Sequence, residues 1–317
     1  NVALTSDVDG WNFAGNPYPS PIDWDLVTFP SGVSPALYVW DHDPAVWGRY
    51  TTYIDGIGTN GGGNVLPMMQ SFFIKANNAA TLTFQNNERI TDPTIRGDFY
   101  KNSKAGIDPL IRLQVSGFGF QTESVVRFKA GATADYDPTL DALLFPSGNP
   151  LAIEFASVSH DSNHLVINTF PDQPLATMVQ LYLYIGTTGN YDITMTEFNN
   201  FPSTYSTILH DTKLSLTHDL NNGPYSFVGN TADSDGRFLL ETVDLTVGIS
   251  EEKINKEMAV FFNNGVVNIN FKGTLLVNTQ LDIYNVLGQS IYSTQLNKGS
   301  EKYILNHAHL KAGGIYF

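Results

Sequence analysis

Short runs of β-branched and aromatic residues recur along almost the whole chain, and each is cut off by a Gly, Asn, Asp or Pro turn before it reaches the length of a stable helix. Residues 71–75, 80–84, 110–115, 124–129, 151–155, 165–167, 179–185, 191–196 and 238–242 are of this kind. Such residues fit a pleated, half-buried surface, and turns at this spacing join neighbouring strands. Helix signals are scarce. Residues 86–98 carry Pro93 and Gly97 among polar residues, and 251–258, the one stretch of good helix formers, is too short to stand alone. The pattern predicts an all-β chain whose body is a β-sandwich or jelly roll. No fixed internal period appears, which excludes a solenoid or propeller.

A chain of 317 residues is long enough for two or three cores. The body is expected over residues 1–247, as two packed β units with a seam near 97–106. Residues 248–257 then turn polar and charged after a run of strands, a shift that marks a linker. Strand signals resume over 258–317, enough for a small immunoglobulin-like sandwich.

Only 15% of residues are charged while aromatics reach 12%, the profile of a folded extracellular β protein rather than a disordered one. Cysteine is absent, so disulfides, thiolate metal sites and cysteine nucleophiles are excluded. Seventeen Lys and Arg against thirty-one acids give a net charge of −14, and no basic run offers a phosphate backbone a face to bind, so a nucleic-acid partner is not expected. No apolar stretch approaches the roughly 20 residues of a membrane-spanning helix.

The C-terminal segment carries the most specific motif. Polar and apolar residues alternate through 281–284 and 290–293, and residues 285–289 read as the turn between them. Gly288 suits a position with φ > 0 and Asn285 can close a local side-chain turn, so the two runs form a hairpin. A further β segment is expected at 302–305, and the Gly313-Gly314 break leads into Ile315, Tyr316 and Phe317. The order "IYNVLGQ", then "LKAGGIY" some two dozen residues later, resembles the type A C-terminal sorting domain of cargo proteins of the type IX secretion system of Bacteroidetes. Two glycines stand where that family usually has one, and its final strand and basic end do not follow Phe317, which implies that the native chain continues.

Residues 10–24, GWNFAGNPYPSPIDW, are similar to a block found in large surface proteins of the same bacteria, and 37–40, 72–76, 125–128, 136–142 and 237–238 follow in the order those proteins show. The resemblance thus covers nearly the whole chain and implies an exported cell-surface protein. Asn1 does not open a signal peptide, so the expectation is that residue 1 is internal to a precursor or a processed form.

Candidate chemistry is sparse. All four tryptophans, Trp11, Trp24, Trp40 and Trp47, lie in the first forty-seven residues together with Tyr18, Tyr38, Tyr50 and Tyr53. Sugar rings stack on aromatic planes, so an exposed cluster would make a glycan platform. Trp11, Trp24 and Trp40 are read as core or turn anchors, whereas Trp47, Tyr50 and Tyr53 are the candidate glycan contacts. Asp135, Asp137 and Asp141 place three carboxylates within seven residues, a candidate Ca²⁺ loop, with an Asx turn as the competing reading. Asp233-Ser234-Asp235-Gly236 is a weaker candidate of the same kind. His160 and His164 lie between strand signals and are read as a hairpin loop rather than a zinc site. Asp41-His42-Asp43 has no G-x-S-x-G serine to complete a hydrolase. No pair of carboxylates is singled out for glycoside hydrolysis.

Together these features predict a non-catalytic β-sandwich region of a secreted cell-surface protein, serving display, adhesion or assembly and ending in a type IX sorting signal. A carbohydrate-binding accessory region of a larger secreted hydrolase is the alternative. The resemblance implies a type IX translocon, an outer-membrane shuttle protein and a sortase-like peptidase as partners, with Asn285, Leu287, Gly288, Gly314, Ile315 and Tyr316 as the recognition residues. Each of these also serves the turn or strand it sits in. A glycan or a surface protein is the expected partner of the body.

Overall fold

The computed structural model describes residues 1–42, 48–91, 108–172, 174, 177–233, 235–245, 258–263, 266–271, 274, 277–285 and 289–305. Strands dominate, every run singled out in the sequence is one, and the described residues hold no α-helix. The expected seam at 97–106 and the whole linker at 248–257 lie outside the described residues. The chain divides into two compact units, Asn1–Leu245 and Thr246–Phe317.

The first unit holds two large sheets. One has five strands in the order Trp11–Gly15, Ser71–Lys75, Leu37–Asp41, Arg49–Ile54 and Ile57–Thr59, all antiparallel. Its period-2 pattern sends Ala14, Leu37, Val39, Tyr53, Phe72 and Ile74 into one buried cluster with Trp24. Its other face meets the second sheet.

That second sheet has eleven strands. Along its path run Leu216–Asp219, Tyr205–Asp211, Phe238–Asp244, Met178–Ile185, Ile153–Val158, His164–Pro171, Phe120–Lys129, Leu110–Gly117, Gly189–Asn199 and Tyr225–Gly229, with Ala142–Leu143 added beside His164–Pro171. Phe120–Lys129 and His164–Pro171 pair in parallel, and the other pairs are antiparallel. At the centre, residues 124–128 are buried without alternation. A strand covered on both faces has no solvent side for polar residues. Val126 and Phe128 enter one core, Val125 the other.

The sheet doubles back so that its two ends share a core. Phe227, near one end, lies 4.9 Å from Phe238, near the other, ring to ring. Arg237 latches them. Its guanidinium bonds both carboxylate oxygens of Asp211, the Asp233 carboxylate at 2.6 Å and the Val228 carbonyl at 3.0 Å, while Tyr225 donates its hydroxyl to Asp211 at 2.9 Å. Phe227 and Phe238 each lie 4.8 Å from the guanidinium carbon. The result is an all-β body built on large sheets, as the strand runs predicted.

The two sheets share an apolar cluster, Tyr38, Ile54 and Ile57 from one against Leu110, Val125 and Val166 from the other, and arginines stitch them as well. Arg127, only 2% exposed, bonds the Asp55 carbonyl and carboxylate at 3.1 and 2.9 Å, Thr169 Oγ1 and the Leu140 carbonyl. Arg112 donates to the Gly58 carbonyl at 2.6 Å, and Arg49 to the Gln121 carbonyl at 3.1 Å.

The second unit pairs Met258–Asn263, Val266–Phe271 and Lys302–Leu305 in one antiparallel sheet, and Thr279–Tyr284 with Ser290–Leu296 in a hairpin. Ile269, Ile283, Leu296 and Leu305, drawn from both, are buried. Tyr292 and Tyr303 share a 3.0 Å hydroxyl contact between them.

Arg237→Met leaves Asp211 buried without its cation and is expected to cost about 3–5 kcal/mol in denaturant unfolding. Arg127→Met removes the shared donor of Thr169 and the Leu140 carbonyl, which keep each other at 3.1 Å, and is expected to cost about 1–3 kcal/mol.

Candidate functional site

The face of the five-stranded sheet that meets the second sheet is lined with aromatic rings. Register puts Phe13, Phe73 and Tyr38 in one cross-strand row, with Trp40 opposite Tyr50 in the next. Phe145 reaches in from the second half of the unit to cover the middle of this face, 4.3 Å from Trp11, 4.6 Å from Tyr50 and 4.8 Å from Phe73 between ring centroids. Lys75 caps Trp11 with its ammonium 5.3 Å from the ring centroid. Beyond the reach of Phe145 the face is open. Phe13 is 67% exposed beside Phe73, and Trp40 is 40% exposed against the edge of Tyr50.

This arrangement corrects one reading and divides another. Of the two roles expected of Trp40, core or turn anchor, it does not take the core one; its ring packs on Gly48, where a Cβ would clash with Trp40 Cζ2. It shares its face with the buried Tyr38, but Phe145 covers Tyr50, its partner across the row, and leaves Trp40 40% exposed. Tyr53 is not a surface contact either. It stands three residues from Tyr50 on one strand and so points to the opposite face, where it is buried and donates its hydroxyl to Asp25 Oδ1 at 2.6 Å. Burial, reinforced by that carboxylate, holds its phenol far above the ordinary range. Tyr50 stays half-buried on the aromatic face, and burial raises its phenol as well. Trp24 is core as expected, with its indole N–H on the Pro35 carbonyl at 2.7 Å. Trp47 lies outside the described residues.

The exposed rings Phe13 and Trp40, with Tyr50 and Phe73 behind them, offer flat apolar surface edged by a cation. Stacking on a sugar or packing against an apolar side chain is the chemistry such a face supports. The alternation of Trp11 and Phe13 was available in the sequence as a sign of a shared face. Phe145, some ninety residues beyond Tyr50, carried no such sign.

The three carboxylates of the candidate calcium loop do not converge. Asp135 pairs with His160 Nδ1 at 2.8 Å, and Asp137 accepts from the backbone and hydroxyl of Thr139, an Asx turn. Asp141 is fully buried and accepts from the backbone N–H groups of Asp137 and Thr169, both at 2.7 Å. The same residues thus perform the local role that competed with metal binding, and no group of three metal-ligating side chains occurs among the described residues. Asp233 is taken up by Lys213 and Arg237. Residues 159–163 form the hairpin loop between Ile153–Val158 and His164–Pro171. Asp41 pairs with Arg49 at 3.5 Å, and Asp43 lies outside the described residues.

In the second unit Asn285 closes the turn as expected. Its backbone N–H donates to the Gln289 carbonyl at 3.0 Å, its side-chain oxygen accepts from Gln289 N–H at 3.0 Å, and its amide nitrogen reaches Gln289 Oε1 at 2.9 Å. Leu287, Gly288, Gly314, Ile315 and Tyr316 lie outside the described residues. No described helix is long and apolar enough to cross a membrane.

A family model described as "Domain of unknown function (DUF8693)" matches residues 1–241, and one described as "Secretion system C-terminal sorting domain" matches residues 263–317. No curated protein and no solved structure matches the chain.

Two outcomes follow from this geometry. Trp40→Ala is expected to leave stability within about 1.5 kcal/mol, whereas Tyr53→Ala opens a core cavity and costs about 3–5 kcal/mol, read by thermal and denaturant melts. Burial pushes the Asp141 carboxyl up to about 6 from 3.8, its two backbone donors offsetting only part of that rise. The folded protein then holds this proton more tightly than the unfolded chain, so the contribution of Asp141 to stability falls as pH rises from about 4 to about 6. Asp141→Asn turns one acceptor against a backbone N–H, which costs about 1–3 kcal/mol, and removes that pH dependence from denaturant melts run at successive pH values.

Proposed function

The chain belongs to the family of that domain of unknown function and carries a type IX sorting signal that exports it to the cell surface or the extracellular space; on that premise we propose that residues 1–245 are a non-catalytic region for display and adhesion, working through the exposed aromatic face. The sorting unit is then engaged by the type IX translocon and an outer-membrane shuttle protein, and removed by a sortase-like peptidase as the body is attached at the cell surface. The observation that carries the adhesion reading is the pair of exposed rings, Phe13 and Trp40, set on a sheet and backed by the half-buried rings of Phe73 and Tyr50. A rigid apolar platform gains contact area without a large loss of side-chain entropy. A glycan or an apolar patch on another surface protein fits it.

The same rings support the second reading, a carbohydrate-binding accessory region of a larger hydrolase. The two separate by whether a catalytic domain adjoins the body in the precursor, which intact-protein sequencing decides.

Export and adhesion are separable in one experiment on the full chain in a type IX-competent host. Asn285→Ala removes two of the three bonds across the turn, and the cargo is expected to accumulate inside the cell. Phe13→Ala/Trp40→Ala is expected to reach the surface normally and to lose adhesion to glycan- or protein-coated surfaces. A surface-displayed double variant that adheres like the parent chain would overturn the adhesion reading, and polysaccharide turnover by the purified chain would overturn the non-catalytic one.

A further inference from the structure

A second concave site lies away from the exposed rings. Where the turn after Arg49–Ile54 meets Leu110–Gly117, Phe120–Lys129 and Gly189–Asn199, a cleft of about 840 Å³ opens between the two sheets. Asp55 and Gly56 form the turn with φ of 46° and 82°, and a Cβ at Gly56 would meet nothing, so the backbone itself borders open space. The floor is apolar. Ile57 and Leu110 are buried, and Phe198 is fixed by parallel stacking on Phe201, with centroids 4.3 Å apart and planes 1° apart.

Above this floor donors and acceptors alternate. The Lys129 ammonium sits 2.5 Å from Asp55 Oδ2, and Arg112 Nε sits 2.6 Å from Glu197 Oε2. Each pair keeps capacity for a further partner, because an ammonium has three N–H donors and a carboxylate about four lone-pair directions. Four carboxylates (Asp25, Asp55, Asp108, Glu197) and three cations (Arg112, Arg127, Lys129) line the cleft. An anionic ligand would meet the carboxylates, a cationic one the arginines and lysine, so neither sign of charge gains. A hydroxyl both donates and accepts, and vicinal hydroxyls match the two-pronged geometry of carboxylate and guanidinium groups while C–H faces rest on Ile57, Leu110 and Phe198. A peptide strand has less to gain here. The neighbouring edge strand Ile57–Thr59 already gives its Gly58 carbonyl to Arg112.

We propose that this cleft binds a neutral, hydroxyl-rich ligand, a segment of an uncharged glycan chain. It acts independently of the exposed aromatic face, and Arg127, in the wall but only 2% exposed, is part of the scaffold and not a ligand contact.

The test titrates the full chain with uncharged oligosaccharides of three to six units, matched uronate and amino-sugar oligosaccharides, and an uncharged peptide, using calorimetry together with hydroxyl-radical footprinting of Phe198. Saturable binding of an uncharged oligosaccharide that protects Phe198 is expected. Lys129→Ala and Glu197→Ala, both at half-exposed positions and both checked for unchanged melting, should weaken it about tenfold or more, while Trp40→Ala leaves it intact. Absence of binding across the uncharged panel, tighter binding of a charged sugar or the peptide, or a loss caused by Trp40→Ala and by neither cleft variant would each overturn the proposal.

Discussion

Among the contacts that join the two sheets of the first unit is one fully buried guanidinium, that of Arg127. A charge taken out of water must be paired and fully hydrogen-bonded, and the partners of Arg127 come from three distant segments: the turn at Asp55, the turn at Leu140 and the strand carrying Thr169. Satisfying one side chain therefore fixes the positions of all three. Asp141, one residue beyond Leu140, ties the same turn to Thr169 through its backbone. Beside Arg127 the sheets also meet through apolar side chains, Ile54 and Ile57 from one and Leu110 and Val125 from the other. The cleft opens next to that contact, with Ile57, Leu110 and Arg127 in its lining.

The chain has no cysteine, and a large sheet that doubles over needs something to hold its ends. Arg237 meets that need without a covalent bond. The guanidinium is pinned between two phenyl rings and two carboxylates, where solvent ions screen it little. The second unit lacks any comparable latch among its described residues and relies on four buried aliphatic side chains and a tyrosine pair.

Strand runs were legible because each residue type and turn acts locally. The turn at Asn285 was legible for the same reason, since every bond it makes lies within five residues. The aromatic face was legible in composition and not in assignment. Spacing alone separates Tyr50 from Tyr53, but which face is covered depends on Phe145, and no local pattern connects the two segments. Trp40 stands outside the core on that account. The acidic run at 135–141 shows the limit from the other side: carboxylates at short spacing satisfy turns as readily as cations, and only their hydrogen-bond partners separate the cases. The arginine seam, joining residues 54 to 72 positions apart, left no trace in periodicity.

The latch at Arg237 has a further consequence for the order in which the body assembles. Its partners, from Asp211 to Arg237, span 26 positions, so that closure costs little chain entropy once the segment exists. The pairing of Leu110–Gly117 with Gly189–Asn199 must instead close a loop of some eighty residues. On a ribosome the five-stranded sheet can pair as soon as its last strand, ending at Lys75, has emerged, but the core of the larger sheet stays open until Phe238–Asp244 arrives. The body is thus sealed by the last strand made, immediately ahead of the segment that addresses it for export.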